Sequence, residues 1–416
     1  MNISHRYINS VVEYTNRKNI DRPLVVFGED WGSHPSSTQH IVTVLGENRQ
    51  VVWINSIGLR KPRLTFNDLG RVFKKIKSFI ISTIFMKKKI KQDKSEKLII
   101  INPLVIPCAS TPFFIKVSKF ILKTQIDFAC KGVSLINPII WSSLPTSVDY
   151  LDIFNKAPCV YYCGDDFSSL EGVDHNFVSE KEKELVKKVR YIFTASEVML
   201  NKFPSDKGVN IPHGVNFSLF SKRVEKIPFD LPRGKPIAGF YGSISTWLDQ
   251  QLLINAIEVL PHWEFVFIGK VDCNVEKLMA YNNVTFLGVK SHDELPRYIQ
   301  NWNVAMLPFK NNKQIQMCNP LKLREYLASG TPVVATDFNA LSGYRDFIQV
   351  SNKDTPFNEA ILLASADILP ATNFEKINDI SDLISLTKTR SLRQSSVMNE
   401  SWESRALDLQ FYLSMC

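Results

Sequence analysis

The chain has 416 residues, 44% of them hydrophobic and 22% charged, with a formal net charge of +9. That length calls for two or three domains, and the ordinary apolar and charged content excludes disorder and fibrous repeats. Seven cysteines (Cys108, Cys130, Cys159, Cys163, Cys273, Cys318, Cys416) are scattered and form no CxxC pair, which argues against a disulfide frame or a zinc cage and for a reduced cytosol.

The opening residues, MNISHRYINSVVEYTNRKNIDRP, lack the apolar run of roughly 7 to 15 residues that a secretory signal needs. The most apolar stretch, Phe79 to Met86, is far shorter than the roughly 20 residues that span a bilayer. The expectation is a cytoplasmic protein without a transmembrane helix.

Short apolar runs alternate with helical patterns from Leu24 onward, as in a parallel sheet covered by helices. Leu24 to Phe27 reads as a strand, followed by a polar loop containing Gly28 and Gly32, a helix from Thr38 to Glu47, and a strand at Val51 to Ile54. Between Arg71 and Lys97, lysines interleave with Val72, Phe73, Ile76, Phe79, Ile80 and Phe85. That pattern suits a basic amphipathic helix on an anionic membrane surface, and equally a solvated helix. No nucleic-acid motif accompanies the charge, so nucleic acid is not an expected partner. Further strands are read at Lys97 to Ile101, Ser134 to Ile136, Cys159 to Tyr162 and Tyr191 to Thr194.

Residues 219 to 236, rich in proline and basic side chains, read as a linker after a first domain of residues 1 to 218. A second alternating series follows in residues 237 to 390, with strands in IAGFYG (237 to 242), FVFIG (265 to 269), VTFLG (284 to 288), VAMLP (304 to 308) and PVVAT (332 to 336). Strands that end in glycine or proline put tight loops at the carboxyl edge, where open α/β sheets bind ligands. Residues 391 to 416 read as one packing helix.

The stretch Asn319-Pro-Leu-Lys-Leu-Arg-Glu-Tyr-Leu-Ala-Ser-Gly-Thr-Pro-Val-Val-Ala-Thr336 resembles the nucleotide-sugar signature of GT-B glycosyltransferases. The likeness is greatest to bacterial family 4 relatives that build exopolysaccharide and teichuronic acid. The resemblance implies an α/β fold of two Rossmann-like domains facing each other across a cleft, with a C-terminal helix packing back toward the N-terminal domain. It also implies donor handling by Glu325, which would accept hydrogen bonds from ribose hydroxyls, and by the helix start at Asn319, Pro320 and Leu321, whose N–H groups would meet a diphosphate. Lys322 adds positive charge in the same turn, an arrangement that is unfavourable at a helix N-terminus without an anion. Phe240 to Asp249 is similar to the first strand and glycine loop of the donor domain, where Gly242 and Ser243 would let backbone approach the diphosphate. The arginine and lysine usual after that glycine are missing, which shifts the charge role to Lys322 and Lys310. Asp249 is expected to cap the next helix. Counting back from Glu325 puts Met317 where family 4 members carry a first glutamate.

On the acceptor side, the loop Gly28 to His40 corresponds by resemblance to one that touches the acceptor, which marks Asp30, Trp31, His34 and Gln39. An aromatic beside hydrogen-bonding groups suits sugar stacking, and suits simple packing as well. Tyr161-Tyr-Cys-Gly-Asp-Asp-Phe167 ends a strand with two carboxylates, so Asp165, Asp166 and His175 are candidates to take a proton from an acceptor hydroxyl. Helix capping and a metal pair are the rival roles for Asp165 and Asp166. No metal is expected, since GT-B relatives stabilise the leaving diphosphate with helix dipoles and basic groups. Ile211-Pro-His-Gly-Val-Asn-Phe217 resembles the turn that closes the first domain, with a positive φ expected at Gly214.

The resemblance implies a glycosyltransferase that uses a nucleotide sugar as substrate, with no cofactor, and a surface polysaccharide or lipid-linked glycan as acceptor. A nucleotide-sugar epimerase and a non-catalytic nucleotide-sugar-binding subunit of a polysaccharide assembly complex are the alternatives.

Overall fold

The computed structural model describes residues 22–32, 36–58, 97–105, 112–167, 173–367 and 381–416, the side chains of 381–388 excepted. The predicted basic segment, apart from Lys97, and the candidate His34 lie outside the described residues. The chain divides into two compact units, one of residues 1–212 with 405–416, the other of residues 213–404.

The first unit holds a seven-stranded parallel sheet of β1 (Leu24–Phe27), β2 (Val51–Ile54), β3 (Leu98–Ile101), β4 (Ile139–Ser142), β5 (Cys159–Cys163), β6 (Tyr191–Thr194) and β7 (Gly208–Asn210). Their order is β3-β2-β1-β4-β5-β6-β7. The side chains of β1, β2, β4 and β5 are all buried, as expected where helices cover both faces of a parallel sheet. Helices α1 (Ser37–Leu45), α2 (Pro112–Ala129) and α3 (His175–Lys188) supply part of that cover. The ladder runs outward from β1 both ways, with Val26 opposite Trp53 on one side and Trp141 on the other. Strand order therefore reverses between β1 and β4, which is where such a sheet opens a crevice at its carboxyl edge.

The strand read at Ser134 to Ile136 stands instead at Ile139–Ser142. Asn137 adopts a left-handed φ of 46° and Pro138 has no N–H, so the ladder's first donor is Ile139, which bonds to Pro23 O at 2.9 Å.

The second unit repeats the plan with β8 (Ile237–Tyr241), β9 (Glu264–Ile268), β10 (Val284–Phe286), β11 (Val304–Leu307), β12 (Val333–Thr336) and β13 (Gln349–Ser351) in the order β10-β9-β8-β11-β12-β13. Helices α4 (Gln250–Val259), α5 (Leu321–Ser329) and α6 (Phe357–Ser365) belong to it. Asp249 caps α4, its side chain accepting from Leu252 N. The segment read as a linker is tied into this unit: Asp230 accepts from Lys290 Nζ at 2.6 Å and from Tyr298 Oη at 2.9 Å, and Val224 N donates to Gln300 Oε1 at 3.0 Å.

The single C-terminal helix of the sequence reading is two helices, α7 (Ser381–Val397) and α8 (Trp402–Ser414). From Arg405 onward α8 belongs to the first unit, where Tyr412 packs edge-on against Tyr191 and Phe193. Its first residues belong to the second unit. There Gly214 sits beneath Trp402, so that a Cβ on residue 214 would stand 2.7 Å from Trp402 Cε3. Gly214 is absent from the positive-φ glycines, which corrects the expectation of a left-handed turn. The glycine makes room for an indole.

Candidate functional site

At the switch point of the second sheet, β8 is followed by Gly242 with φ at 130°, a region that side-chain-bearing residues avoid. Gly269, at the end of the neighbouring β9, faces the Gly242 carbonyl so closely that a side chain there would collide with it. Lys322 lies over Gly242: a Cβ on residue 242 would overlap Lys322 Cε and stand 2.8 Å from its Nζ. The ammonium also sits 5.9 Å from the ring centroid of Phe240, a cation–π approach.

Helix α5 delivers that lysine. Pro320 occupies its N-cap position with φ at −70°, and no side chain caps its first turn. An uncapped helix start presents N–H donors and the positive end of the helix dipole. The helix is pinned to β8 by Tyr326, whose hydroxyl accepts from Tyr241 N at 3.1 Å and whose ring packs edge-on against Tyr241 and Trp302. Burial lowers the Lys322 pKa, opposed by the nearby Cys318. A cation held where water solvates it poorly beside a helix N-terminus favours an anionic occupant.

Glu325 follows three residues later and so shares a face with Lys322. Its carboxyl is buried and bonded to His292 Nε2 at 2.7 Å. Desolvation raises its pKa to about 8, while burial lowers that of His292 against the opposing charge of Asp293. His292 also packs edge-on against Phe220. Sequence reasoning missed His292, which sits 33 residues from its partner on a different element.

Ser243 Oγ donates to Asp272 Oδ2 at 2.7 Å, and Asp272 in turn is paired with Lys270. Asn319 Oδ1 accepts from Arg324 Nη1 at 2.6 Å, and the same buried guanidinium holds Glu400 Oε2 at 2.6 Å and stacks over Tyr344. Lys310 follows β11, the strand beside β8, and is exposed, with its backbone N–H donating to Trp247 O. Met317 ends a one-turn helix just before α5, half-buried.

The first unit separates its candidate carboxylates. Asp166 is buried and paired with Lys202 Nζ at 2.5 Å, and Glu182 lies 4.0 Å from the same ammonium. Tyr161 Oη donates to Glu182 at 2.7 Å, closing a polar network between β5 and α3. Asp165 is exposed at the carboxyl edge of β5. Its pKa is raised by the atoms crowded round it, then by the charges of Asp166 and Glu29. Glu29, another residue that the sequence reading passed over, follows β1. His175 starts α3, with Nδ1 3.2 Å from Phe167 O.

The loop after β1 is knit internally. Gln39 donates to Glu29 Oε1 at 2.9 Å and accepts from Gly32 N at 3.1 Å. Asp30 Oδ1 accepts from Ser56 N at 3.1 Å, and Trp31 packs edge-on against Trp53 with centroids 4.8 Å apart while its N–H donates to Asn55. Asp30, Trp31 and Gln39 are thus brought together at one sheet edge.

Residues 235–367 match the family model described as Glycosyl transferases group 1. An alignment of 223 positions that covers 49% of the chain is 25% identical to TuaH of Bacillus subtilis (strain 168), provisionally named a teichuronic acid biosynthesis glycosyltransferase. That match spans 56% of TuaH, little more than half its length. The structure resembles Anabaena Alr3699/HepE crystallised with UDP-glucose, at a TM-score of 0.61 and 13% identity over 95% of this chain and 100% of that one. It also resembles the sucrose-phosphate synthase of Thermosynechococcus elongatus, at a TM-score of 0.62 and 16% identity over 95% and 99%.

Two doubly wound sheets and these likenesses give the chain the GT-B fold of glycosyltransferases. Within the second unit, residues 235–367 are similar to the domain described as Glycosyl transferases group 1.

Proposed function

We propose that the protein transfers a sugar from a nucleoside-diphosphate donor to a growing surface polysaccharide or its lipid-linked precursor. The observation that carries this reading is Lys322 held over Gly242 at the uncapped start of α5. A donor diphosphate there would meet backbone N–H groups, a helix dipole and a cation, which together stabilise the charge that develops as the sugar leaves. Glu325, oriented by His292, is the group proposed for the ribose hydroxyls, and Ser243, Lys310, Asn319, Pro320 and Leu321 are proposed to complete the donor side.

In the reaction, an acceptor hydroxyl gives its proton to a base, its oxygen bonds to the sugar's anomeric carbon, and the bond to the diphosphate breaks, releasing nucleoside diphosphate. For the base, Asp165 is preferred over Asp166, whose charge is spent on Lys202. Its raised pKa suits proton exchange near neutrality better than an unperturbed carboxylate would. Asp30, Trp31, His34, Gln39 and His175 are proposed for acceptor handling on the same unit. HepE, a protein of like fold, binds UDP-glucose, which makes uridine donors the first to try.

Met317, where a carboxylate is expected, favours a second reading: a nucleotide-sugar-binding subunit without turnover. Incubation with a panel of nucleotide sugars and a lipid-linked glycan acceptor separates the two. Release of nucleoside diphosphate that depends on acceptor supports transfer, whereas donor binding without release supports the subunit. Isomerisation of the sugar without acceptor would indicate an epimerase.

A further inference from the structure

Helix α2 turns one face to the protein and another, strongly apolar, to solvent. Its inner face buries Ser118, Leu122 and Ile126. Gln125 clamps it to the segment after β3, accepting from Leu104 N at 2.9 Å and donating to Asn102 O at 3.1 Å, and Lys119 pairs with Asp152 at 2.7 Å. On the opposite face Phe113, Phe120 and Phe128 are 68%, 74% and 55% exposed. At 100° per residue those three rings form a stripe about 80° wide. Single exposed apolar residues are commonplace, but three large aromatics in register on one helix form a patch that calls for a partner.

Charge identifies the partner. Lys116 and Lys123 are exposed along one margin of the stripe, Lys131 is exposed just past the helix, and Asp127 is the one acidic residue of α2. Rings that sink to headgroup level beside lysines that reach phosphates are the combination of a helix lying in a bilayer interface. No described helix is long and apolar enough to cross a membrane, so the contact is one of lying on the surface.

We propose that α2 seats the first unit on an anionic phospholipid surface through Phe113, Phe120 and Phe128, with Lys116, Lys123 and Lys131 engaging lipid phosphates. The proposal concerns residues 112–131 and stands whether or not the protein transfers sugars. For a lipid-linked acceptor, it would bring the enzyme to the plane where its substrate lies.

The test is co-sedimentation of the full chain with vesicles of phosphatidylglycerol and phosphatidylcholine, and with phosphatidylcholine alone. The expected result is binding to the anionic vesicles that falls roughly tenfold or more in the triple variant F113S/F120S/F128S and in K116E/K123E, with thermal melts unchanged. In addition, F120C should be labelled by a water-soluble maleimide above the wild-type background, and protected once anionic vesicles are added. Wild-type failure to sediment, or undiminished sedimentation of the triple variant, would overturn the proposal. So would protection of F120C without lipid, which would mean that another part of the chain or a second copy covers the face.

Discussion

Lys322 lies across Gly242, close enough that no side chain fits between the end of β8 and the lysine's Cε. The chain has placed its smallest residue under a cation at the point where the second sheet reverses its strand order. G242A would displace that cation and force a non-glycine residue to a φ of 130°, at a cost of about 1–3 kcal/mol. Affinity for nucleotide sugars should fall more than about tenfold, with a lower melting temperature. Calorimetric titration beside a thermal melt measures both.

The burial of the Glu325 carboxyl predicts a pH dependence. A carboxyl raised from 4.5 to about 8 holds its proton in the folded state while the unfolded chain has released it. Its stabilising effect is therefore full below 4.5 and is lost as pH climbs toward 8. E325Q cannot titrate, and the lowered pKa of His292 acts in both proteins. The melting temperature of the wild type should accordingly drop relative to E325Q as pH rises through that window. A constant difference across the range would contradict the burial of that carboxyl.

The adjacent carboxylates of the first unit should separate cleanly. D166N strips the partner from a half-buried Lys202 and should cost about 2–4 kcal/mol, measured by denaturant unfolding. D165N removes a charge that its surroundings disfavour, so it should cost no stability while lowering the transfer rate by roughly 100-fold or more. Equal stability losses in the two variants would erase the distinction.

G214A should destabilise the second unit by about 1–3 kcal/mol, because a methyl group there meets the Trp402 indole. W402A in the same background should relieve part of that loss. Additive losses in the double variant would show that the two residues do not meet.

Much of the fold could be read from the chain because buried parallel strands are written as contiguous apolar runs: Leu24–Phe27 and Val304–Leu307 carry no polar residue and are fully enclosed. Short edge strands such as Gly208–Asn210 and Gln349–Ser351, half-buried and without a run, left no such trace. At the site, Lys322 and Glu325 were legible because they share one helix turn. Partners brought in by tertiary structure were not: His292 on Glu325, Asp272 on Ser243, Glu400 on Arg324 and Lys202 on Asp166 come from 29 to 76 residues away. Sequence alone could not divide Asp165 from Asp166, since only the position of Lys202 decides which carboxylate is occupied. Gly214 was read for its backbone freedom when its purpose is space for an indole.

The most direct test of the account is titration of UDP-glucose into the wild type and K322M in buffers of differing ionisation enthalpy. If Lys322 receives the diphosphate, the wild type binds saturably and takes up protons as pH approaches the lowered lysine pKa, because the anion raises it again. K322M should then bind about 10- to 100-fold more weakly, without that proton uptake. Wild-type affinity retained in K322M, or proton uptake that survives the substitution, would contradict the assignment of Lys322 and Gly242 as the donor site.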